Sequence, residues 1–335
     1  MQNQKIVLAK RPAGLSTPDC FRLEEAVLDP RPQGLVRLRS EFISLDPYQR
    51  SVIGGNHMGQ TADIGDVVPS ESVCTVIESE SDEFPIGTVV RAHSGWQVFS
   101  DHAPQTLNRV PSALSRPSLA LSILGMPGLT AYAAMHQIAK VKAGDTVLIP
   151  AAIGGVGAMA GQLAKLAGAT TIGITSSKEK CALAKELGYH HVLNRNSETL
   201  ADDLSAAAPQ GISIYLDLAG DPILTIAAQQ LSLGGHVILC GLIQDYNGNY
   251  KTMGPPPGLW IGKRATVSGL VVYDYEHLRS TFETAYTGLY EQGILKASEH
   301  VFQGLDSAPE AFCRMMQGQI LGKVVVEVGN SGVTS

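Results

Sequence analysis

The stretch TVLIPAAIGGVGAMAG, residues 146–161, decides the fold. It starts as a short apolar strand, turns at a cluster of glycines and continues as a helix from about Gly157 to Ala167. Glycine lets the backbone turn sharply and lets a ligand approach without a Cβ in the way. The start of a helix presents N–H groups and the positive end of the helix dipole to an anion. This order of strand, turn and helix is typical of the first turn of a dinucleotide-binding domain.

The glycines of this turn follow a variant of the common dinucleotide spacing. Gly154, Gly157 and Gly161 read as Gly-x-x-Gly-x-x-x-Gly. We expect Gly161 to let the helix pack closely on the sheet. A tight turn that holds no ligand is the alternative, but phosphate binding explains many glycines at once.

Strands and helices alternate regularly on the C-terminal side of this turn. Such alternation predicts right-handed β-α-β units and a doubly wound parallel sheet, the Rossmann arrangement of the α/β class. The predicted strands are Thr146–Pro150, Thr170–Ile174, His191–Leu193, Ile212–Asp217, His236–Cys240 and Val267–Val272. The predicted helices that follow are Lys178–Leu187, Glu198–Ala207, Pro222–Leu231 and Tyr275–Glu291.

Residues 1–124 have a different texture, with short β-type runs such as Ser72–Glu78 that are broken by Gly and Pro. This pattern predicts a barrel-like β domain. Beyond the alternating region the sequence is irregular and ends in a predicted strand at Val324–Val328. We therefore expect the Rossmann unit, residues 125–294, to be inserted in a β-rich substrate domain to which residues 295–335 return.

The composition is that of an ordinary globular chain. Of the 335 residues, 44% are hydrophobic and 17% are charged, which argues against disorder. A formal net charge of −6 gives no electrostatic reason to expect nucleic acid or an anionic membrane as a partner. No apolar run is long enough to span a bilayer, and the first residues lack the apolar core of a signal peptide. We expect a cytoplasmic protein.

The cysteines and histidines do not form a metal-binding pattern. No Cys-x-x-Cys pair is present, and His57, His93 and His102 have no accompanying Cys/His/Glu spacing, so we expect no zinc. Cys240 has no evident partner base and is interpreted as a small buried hydrophobic residue rather than a nucleophile. Unpaired thiols in a reducing compartment are the expected state of Cys20, Cys74, Cys181, Cys240 and Cys313.

The second predicted strand runs into TSSKEK, residues 175–180, with no acidic residue at the strand end. An Asp or Glu there normally binds the ribose 2′-hydroxyl of NAD. Hydroxyls such as Ser176, together with lysines, suit the 2′-phosphate of NADP instead, and Arg195 after the third strand could add a bidentate clamp. A solvated helix start is the alternative reading of the lysines, and it is the better reading for Lys178. The pattern predicts NADP(H) as the cofactor.

Several longer motifs point to one family. They are SLDPY (44–48), GWQ (95–97), GMPGLTAY (125–132), GQLAK (161–165), KC (180–181), CGLIQDYN (240–247) and GK (322–323). With these motifs the chain resembles, nearly from end to end, the zinc-independent medium-chain reductases of the leukotriene dehydrogenase/prostaglandin reductase branch. That branch also contains bacterial curcumin reductases and plant alkenal double-bond reductases.

The resemblance implies a GroES-like substrate domain, an NADP(H)-binding Rossmann domain and a homodimer. It implies hydride transfer to the β-carbon of an α,β-unsaturated ketone or aldehyde. The Tyr246 phenol would donate to the substrate carbonyl or enolate, helped by Tyr48, and an ordinary packed tyrosine is the alternative. The implied cofactor contacts are Gly154, Gly155, Val156, Gly157 and Ala158 for the pyrophosphate, Ser176, Lys180 and Arg195 for the 2′-phosphate, and Cys240, Gly241, Leu270, Val271 and Val272 for the nicotinamide side.

Three positions depart from the family pattern. Arg195 lies where the family has the tyrosine of Asn-Tyr-Lys, and Leu218 and Ile320 each replace an amide. At about 0.5–1.5 kcal/mol for each lost hydrogen bond, the two aliphatic residues would weaken cofactor binding without abolishing it. The alternatives that stay open are a zinc-free carbonyl/alcohol oxidoreductase, a specialised biosynthetic reductase, and an NADPH-binding protein with little turnover.

Overall fold

The computed structural model describes residues 2–59, 61–247 and 253–329, which form two compact units. The first unit contains the described parts of residues 1–121, 299–320 and 324–335, and the second contains those of residues 122–298 and 321–323. The domain boundaries predicted from the sequence stay predictions, which limited proteolysis with mass spectrometry would test.

The first unit consists mainly of strands, whereas strands and helices alternate in the second. In chain order the strands are β1 (Gln2–Leu8), β2 (Phe21–Val27), β3 (Val36–Leu45), β4 (Ser72–Glu78), β5 (Val89–Ala92), β6 (Phe99–His102), β7 (Asn108–Arg109), β8 (Thr146–Pro150), β9 (Thr170–Thr175), β10 (His191–Asn194), β11 (Ile212–Asp217), β12 (Leu231–Leu239), β13 (Thr266–Gly269), β14 (Glu299–Gln303) and β15 (Lys323–Glu327). The α-helices are α1 (Gln49–Gly54), α2 (Met126–Tyr132), α3 (Gly155–Leu166), α4 (Lys178–Glu186), α5 (Leu200–Ala207), α6 (Ile223–Gln229), α7 (Pro257–Lys263), α8 (Arg279–Glu291) and α9 (Ala308–Met316).

The second unit is built on a parallel sheet. Its described strands lie in the order β10-β9-β8-β11-β12-β13, and each neighbouring pair is parallel. The order reverses between β8 and β11, and in Rossmann sheets ligands bind at this point, outside the carboxyl ends of the strands. Both of these strands are mostly apolar and almost entirely buried, as central parallel strands are, although β11 ends in the acid Asp217. The prediction of a Rossmann α/β fold is confirmed.

The first unit is β-rich, as predicted. Its main sheet runs in the order β14-β15-β3-β4-β5-β7, with β6 also paired to β3, and β1 pairs with β2 in a second sheet. The buried Trp96 ring lies 5.1 Å from the Phe21 ring and 5.8 Å from the Phe312 ring, measured between centroids. Phe312 comes from the C-terminal segment of this unit, so N-terminal and C-terminal segments share one core.

The C-terminal part of the chain is more regular than its sequence pattern indicates. Residues after 294 were expected to be irregular until a final strand, but they also form β14 and α9. The buried residues of α9 include Ala308, Ala311, Phe312 and Met316, which lie on one helical face. The expectation was wrong because α9 has only nine residues, too few for its period to stand out.

Two predicted elements near the end of the parallel sheet are shorter than expected. The strand predicted to run from Val267 to Val272 ends at Gly269. The helix predicted from Tyr275 begins as an α-helix only at Arg279, because the preceding residues form a 3₁₀-helix.

The described helices are short. The longest is α8, with 13 residues, whereas a helix that spans a bilayer takes about 20 predominantly apolar residues. No helix in the described part of the chain has the length and apolar character needed to cross a membrane.

Candidate cofactor and active site

The turn between β8 and α3 needs its glycines for packing. Ala151 begins the turn at φ +50°, and Gly154 precedes the helix in an extended conformation. A Cβ on Gly157 would lie 2.4 Å from the Ala151 carbonyl oxygen, and a Cβ on Gly155 would lie 2.8 Å from the Pro127 Cβ. Neither glycine can carry a side chain while the turn keeps this path, so the cluster has a structural requirement beside its expected ligand role.

The start of α3 is arranged to receive an anion. Gly155, Val156 and Gly157 are its first residues, so their N–H groups have no carbonyl partner one turn earlier in the helix. The N–H groups on either side are already used, because Gly154 donates to the Ala151 oxygen at 2.9 Å and Ala158 donates to the Gly154 oxygen at 2.8 Å. Of the five residues predicted to hold the pyrophosphate, the middle three therefore have the N–H groups best placed to donate.

Tyr189, which the sequence analysis did not single out, fills the space beside α3. A Cβ on Gly161 would lie 2.3 Å from the Tyr189 Cζ, and a Cβ on Gly173 of β9 would lie 3.0 Å from its Cδ1. The Tyr189 hydroxyl donates to the Gly157 carbonyl oxygen at 2.7 Å. Gly161 thus permits close packing as predicted, but it packs on a buried tyrosine ring that lies between α3 and the sheet.

Two cationic side chains meet where β9 and β10 end. The backbone N–H of Arg195 donates to the Thr175 carbonyl oxygen at 2.7 Å, which holds the end of β10 beside the end of β9. Lys180 is half-buried, and burial together with the positive charge of Arg195 lowers the pKa of its amine. Arg195 is exposed, and its charge destabilises the charged form of the half-buried Lys180 until an anion binds. The pair is therefore suited to a phosphate group.

Other polar residues near the ends of β9 and β10 make hydrogen bonds that stabilise the local backbone or are exposed to solvent. The Ser177 hydroxyl oxygen accepts a hydrogen bond from the backbone N–H of Lys180 at 3.2 Å and so caps α4. The Ser176 carbonyl oxygen accepts the Asn196 side-chain N–H at 2.9 Å. Lys178 is exposed, in agreement with its interpretation as part of a solvated helix start.

Tyr246 lies on the loop that leaves β12. This loop is fixed to the end of β11, because the Cys240 and Gly241 N–H groups donate to the Asp217 carbonyl oxygen at 3.0 and 3.1 Å. A Cβ on Gly241 would lie 3.7 Å from the Tyr246 hydroxyl oxygen, so the phenol covers Gly241. Burial raises the pKa of Tyr246, although a hydrogen bond with the Leu242 N–H acts in the other direction. At pH 7 the side chain is therefore a neutral phenol that can donate its proton.

The residues predicted for the nicotinamide side come together at the ends of β12 and β13. The Leu270 N–H donates to the Leu239 carbonyl oxygen at 2.9 Å, which places the exit of β13 beside that of β12. Leu270 and Val272 are buried and Val271 is half-buried. This edge therefore offers apolar side chains next to the polar Tyr246 loop.

Tyr48 belongs to the first unit, where it directly precedes α1. Its ring lies 5.5 Å from the His57 ring, and the His57 Nδ1 lies 2.9 Å from the Ser51 hydroxyl oxygen. Burial lowers the pKa of His57, which favours its neutral form. The role of Tyr48 toward the nicotinamide stays a prediction.

Two of the positions that depart from the family pattern, Leu218 and Ile320, have aliphatic side chains where the family has amides. Leu218 is half-buried in the turn that follows β11, and Ile320 is buried in the first unit. Aliphatic side chains cannot donate or accept hydrogen bonds, so the expected weakening of cofactor binding stays a prediction.

No metal site is visible in the part of the chain that the structure describes: no group of three His, Cys, Asp or Glu side chains is placed to hold an ion. Of the histidines considered from the sequence, His57 contacts Tyr48, His93 is exposed, and the His102 Nε2 lies 3.0 Å from the Ser100 hydroxyl oxygen. The His57 Nε2 is buried without a hydrogen-bond partner among the described residues, and the expectation of no zinc stays a prediction.

The cysteines are all free thiols. Burial, reinforced by the negative charge of Asp217, raises the pKa of Cys240 to about 12. A thiol that stays protonated is a poor nucleophile, which agrees with the interpretation that Cys240 is not a nucleophile, although the residue is half-buried rather than buried.

Proteins of known sequence and structure share both units. Residues 4–110 match a family model described as the N-terminal domain of oxidoreductase, and residues 155–289 match one described as zinc-binding dehydrogenase. The chain is 33% identical to NADPH-dependent curcumin reductase of Escherichia coli, over 98% of this chain and 97% of that protein. It is 36% identical to prostaglandin reductase 1 of Bos taurus, over 96% and 97% respectively. The crystal structure of CurA in complex with NADPH from Vibrio vulnificus superposes with a TM-score of 0.92 at 35% identity, covering 98% of this chain and 99% of that one.

A Rossmann sheet with a glycine-rich first turn, accompanied by a β-rich unit, defines a nucleotide-dependent oxidoreductase of the medium-chain type. Sequence identity of 33–36% to these two reductases over nearly the whole chain assigns it to a narrower family within that class. The chain belongs to the zinc-independent medium-chain dehydrogenase/reductase family, in the branch of the curcumin and prostaglandin reductases. The resemblance inferred from the motifs is confirmed, and the roles of the individual site residues stay predictions.

Proposed function

We propose that this protein uses NADPH to reduce the C=C bond of α,β-unsaturated ketones or aldehydes, with Tyr246 assisting at the substrate oxygen. Its relatives include an NADPH-dependent curcumin reductase, prostaglandin reductase 1 and an NADP-dependent 2-alkenal reductase. At that level the predictions of an oxidoreductase, of NADP(H) and of activated C=C bonds as targets are confirmed. The position of the Tyr246 hydroxyl, packed over Gly241 at the exit of β12, is the observation that carries the residue-level proposal.

Two groups of residues in the second unit, at the ends of neighbouring strands, support the proposal that the cofactor is NADP(H). The first N–H groups of α3 suit a pyrophosphate, as described above. Lys180 and Arg195 suit an additional phosphate, because their mutual repulsion is relieved by an anion. We propose that these residues hold the two phosphate groups of the cofactor, whose reduced nicotinamide supplies a hydride when bound.

Tyr246 suits the electronic demand of the reaction. When hydride adds to the β-carbon, the electrons of the C=C bond shift toward the carbonyl oxygen, and an enolate forms. A hydrogen bond from the neutral phenol stabilises this oxygen more as its negative charge grows. The α-carbon then takes a proton from water, and the saturated carbonyl product leaves. An isolated alkene has no such oxygen, so the substrate is expected to carry a conjugated carbonyl.

The proposal is tested by following NADPH absorbance with a panel of enones and enals and by identifying the products. We expect a saturated ketone or aldehyde, and an allylic alcohol would show carbonyl reduction instead. Binding of NADPH without consumption by any of the substrates would favour a binding protein.

Changing Tyr246 to Phe tests the role of the phenol. We expect kcat to fall by about 10²-fold, as for loss of one oxyanion donor, while the Kd for NADPH stays within about threefold. Tyr286→Phe is the matched control, because Tyr286 is also a half-buried tyrosine with a raised pKa but its hydroxyl lies 2.8 Å from the His136 ring. Equal effects of the two variants, or no effect of the first, would remove Tyr246 from the mechanism.

We also propose that the protein works as a homodimer in the cytoplasm. Strand β13 is the last in the order of the parallel sheet, and its Val267 is 45% exposed. Ile261 on the preceding helix α7 is 77% exposed. Apolar side chains beside an open strand edge favour pairing with a second copy. Free thiols support a reducing compartment.

A further inference from the structure

Asp217, at the end of β11, is a buried acid that the cofactor contacts do not explain. Its side chain has no exposed surface. Its Oδ1 accepts three hydrogen bonds, from the Tyr215 hydroxyl at 2.8 Å and from the Ala219 and Gly220 N–H groups at 3.0 and 2.9 Å. Its Oδ2 is buried without a donor among the described residues. Burying a carboxyl group that is only half satisfied is unfavourable, so a role that requires this acid is expected.

One path of contacts leads from the Asp217 carboxyl group to the Tyr246 loop. By accepting two successive N–H groups, Oδ1 fixes the turn of residues 218–220. The Ala219 carbonyl oxygen of this turn then accepts the Gln244 N–H at 3.3 Å. Gln244 precedes Tyr246 by two residues, so the carboxyl group controls the backbone from which the phenol projects.

A second path runs through the main chain of the same residue. The Asp217 carbonyl oxygen holds the N–H groups of Cys240 and Gly241, as described above. A Cβ on Gly241 would lie 3.7 Å from both the Tyr246 hydroxyl oxygen and the Leu218 carbonyl oxygen. The phenol, Gly241 and the turn after Asp217 are therefore packed together, and a displacement of the turn would displace the phenol.

We propose that Asp217 is a positioning residue, which fixes the 218–220 turn and the 240–246 loop so that the Tyr246 hydroxyl stays where the enolate oxygen forms. This inference rests on the proposed role of Tyr246.

A double-mutant cycle on the full-length protein separates positioning from a merely structural role. In the otherwise natural chain we expect Asp217→Ala to lower kcat by about tenfold or more, with the Kd for NADPH changed by less than about threefold. In the Tyr246→Phe background the same change should cost less than about twofold, because the group that it positions is already gone. Asp217→Asn should recover most of the activity, because its amide oxygen can still accept the Ala219 and Gly220 N–H groups that fix the turn.

A second readout does not depend on turnover. The ¹³C signal of the Tyr246 Cζ, identified by its loss in Tyr246→Phe, should shift in Asp217→Ala and stay near its natural position in Asp217→Asn. If Asp217→Ala does not fold, Tyr215→Phe replaces it in both measurements, since it removes one of the three donors, and we expect a smaller effect in the same direction.

The outcomes distinguish this inference from the proposed function. If the natural chain reduces no enone or Tyr246→Phe is fully active, the proposed function fails, and the ¹³C signal alone decides whether Asp217 positions the phenol. An unmoved signal would overturn the inference. So would an activity loss from Asp217→Ala that is equally large with and without the Tyr246 hydroxyl.

Discussion

Lys180 and Arg195 show how single residues prepare the cofactor site. The lowered pKa of the Lys180 amine means that the folded chain holds the positive charge at a cost in free energy, because of burial first and Arg195 second. Binding of a 2′-phosphate would remove that cost and add a charge-assisted hydrogen bond. A nucleotide without this phosphate gains no binding energy from Lys180 and Arg195. The two residues should therefore affect the choice between NADPH and NADH more than the affinity for the portion that these cofactors share.

Changing Lys180 to Met, which keeps most of the apolar stem, should therefore weaken NADPH binding selectively. A hydrogen bond to a charged group is worth about 1.5–3 kcal/mol, or roughly 10- to 100-fold in Kd. The Kd for NADH should change by less than about threefold. Fluorescence titration at one fixed ionic strength measures both values, with Lys178→Met at the exposed neighbouring lysine as the control. A similar loss for NADH would contradict the assignment of the phosphate site.

The Cys240 thiol should resist alkylation although its proposed substrates are electrophiles. With a pKa of about 12, only about one thiol in ten thousand is ionised at pH 8, and the reactive fraction grows as the pH rises toward 12. Mass spectrometry after iodoacetamide treatment of the folded protein at pH 8 should find Cys240 unmodified. The half-buried Cys181 on the first turn of α4 serves as the internal comparison. Rapid modification of Cys240 in the folded chain would contradict this prediction.

At the scale of elements, the β8–α3 turn joins two requirements in one segment. Its glycines bring α3 close to the turn and to Pro127, and the same close approach leaves the first helical N–H groups facing outward for an anion. Stability and cofactor binding are therefore expected to fall together when this turn is changed.

Gly157→Ala tests that link. Its methyl group would lie 2.4 Å from the Ala151 carbonyl oxygen, a backbone atom that cannot yield without moving the turn. We expect a loss of about 1–3 kcal/mol in the free energy of unfolding and at least a tenfold weaker NADPH complex. Gly262→Ala in α7 is the control, because a Cβ there meets nothing within 4 Å and should be neutral or stabilising. Denaturant unfolding and cofactor titration measure both effects, and an unaltered Gly157→Ala protein would contradict the packing argument.

The sequence predicts an element well when the element carries its own local signal. Strands β4, β8 and β11 have the predicted bounds, because each is an apolar run bounded by turn residues. The roles of Tyr189 and Asp217 were not predicted, because they depend on where distant backbone comes to lie. A buried ring between a helix and a sheet, and a carboxyl group that accepts three donors, leave no periodic pattern in the chain. The motifs therefore predict an outline of the candidate site, which stays a prediction, but they do not predict the contacts that hold it.

At the scale of the whole molecule, the open edge at β13 bears on assembly. A strand edge with unpaired N–H and C=O groups and exposed apolar side chains is a template for a second chain. A lysine on such an edge opposes pairing, because its charge would be buried on association.

Val267→Lys should therefore convert the proposed dimer to a monomer. Light scattering coupled to size exclusion would show about half the natural mass, and a protein that is already monomeric would contradict the proposal. Val301→Lys is the matched control, because Val301 is 38% exposed on β14, which is an edge strand of the main sheet of the first unit. Loss of the dimer in both variants would point to a general effect of added charge.

Tyr189, which lies between α3 and its sheet, limits the side chains that distant positions of the chain can carry. Its ring occupies the volume that two glycines vacate, one on the helix at position 161 and one on the strand at position 173. A methyl group at position 161 would lie 2.3 Å from the ring, whereas one at position 173 would also lie 2.8 Å from the Ala152 Cβ. A smaller residue at position 189 would leave an empty cavity under the helix. Homologous chains should therefore carry a larger residue at 161 only where 189 has become smaller, and a larger residue at 173 should also require a smaller one at 152.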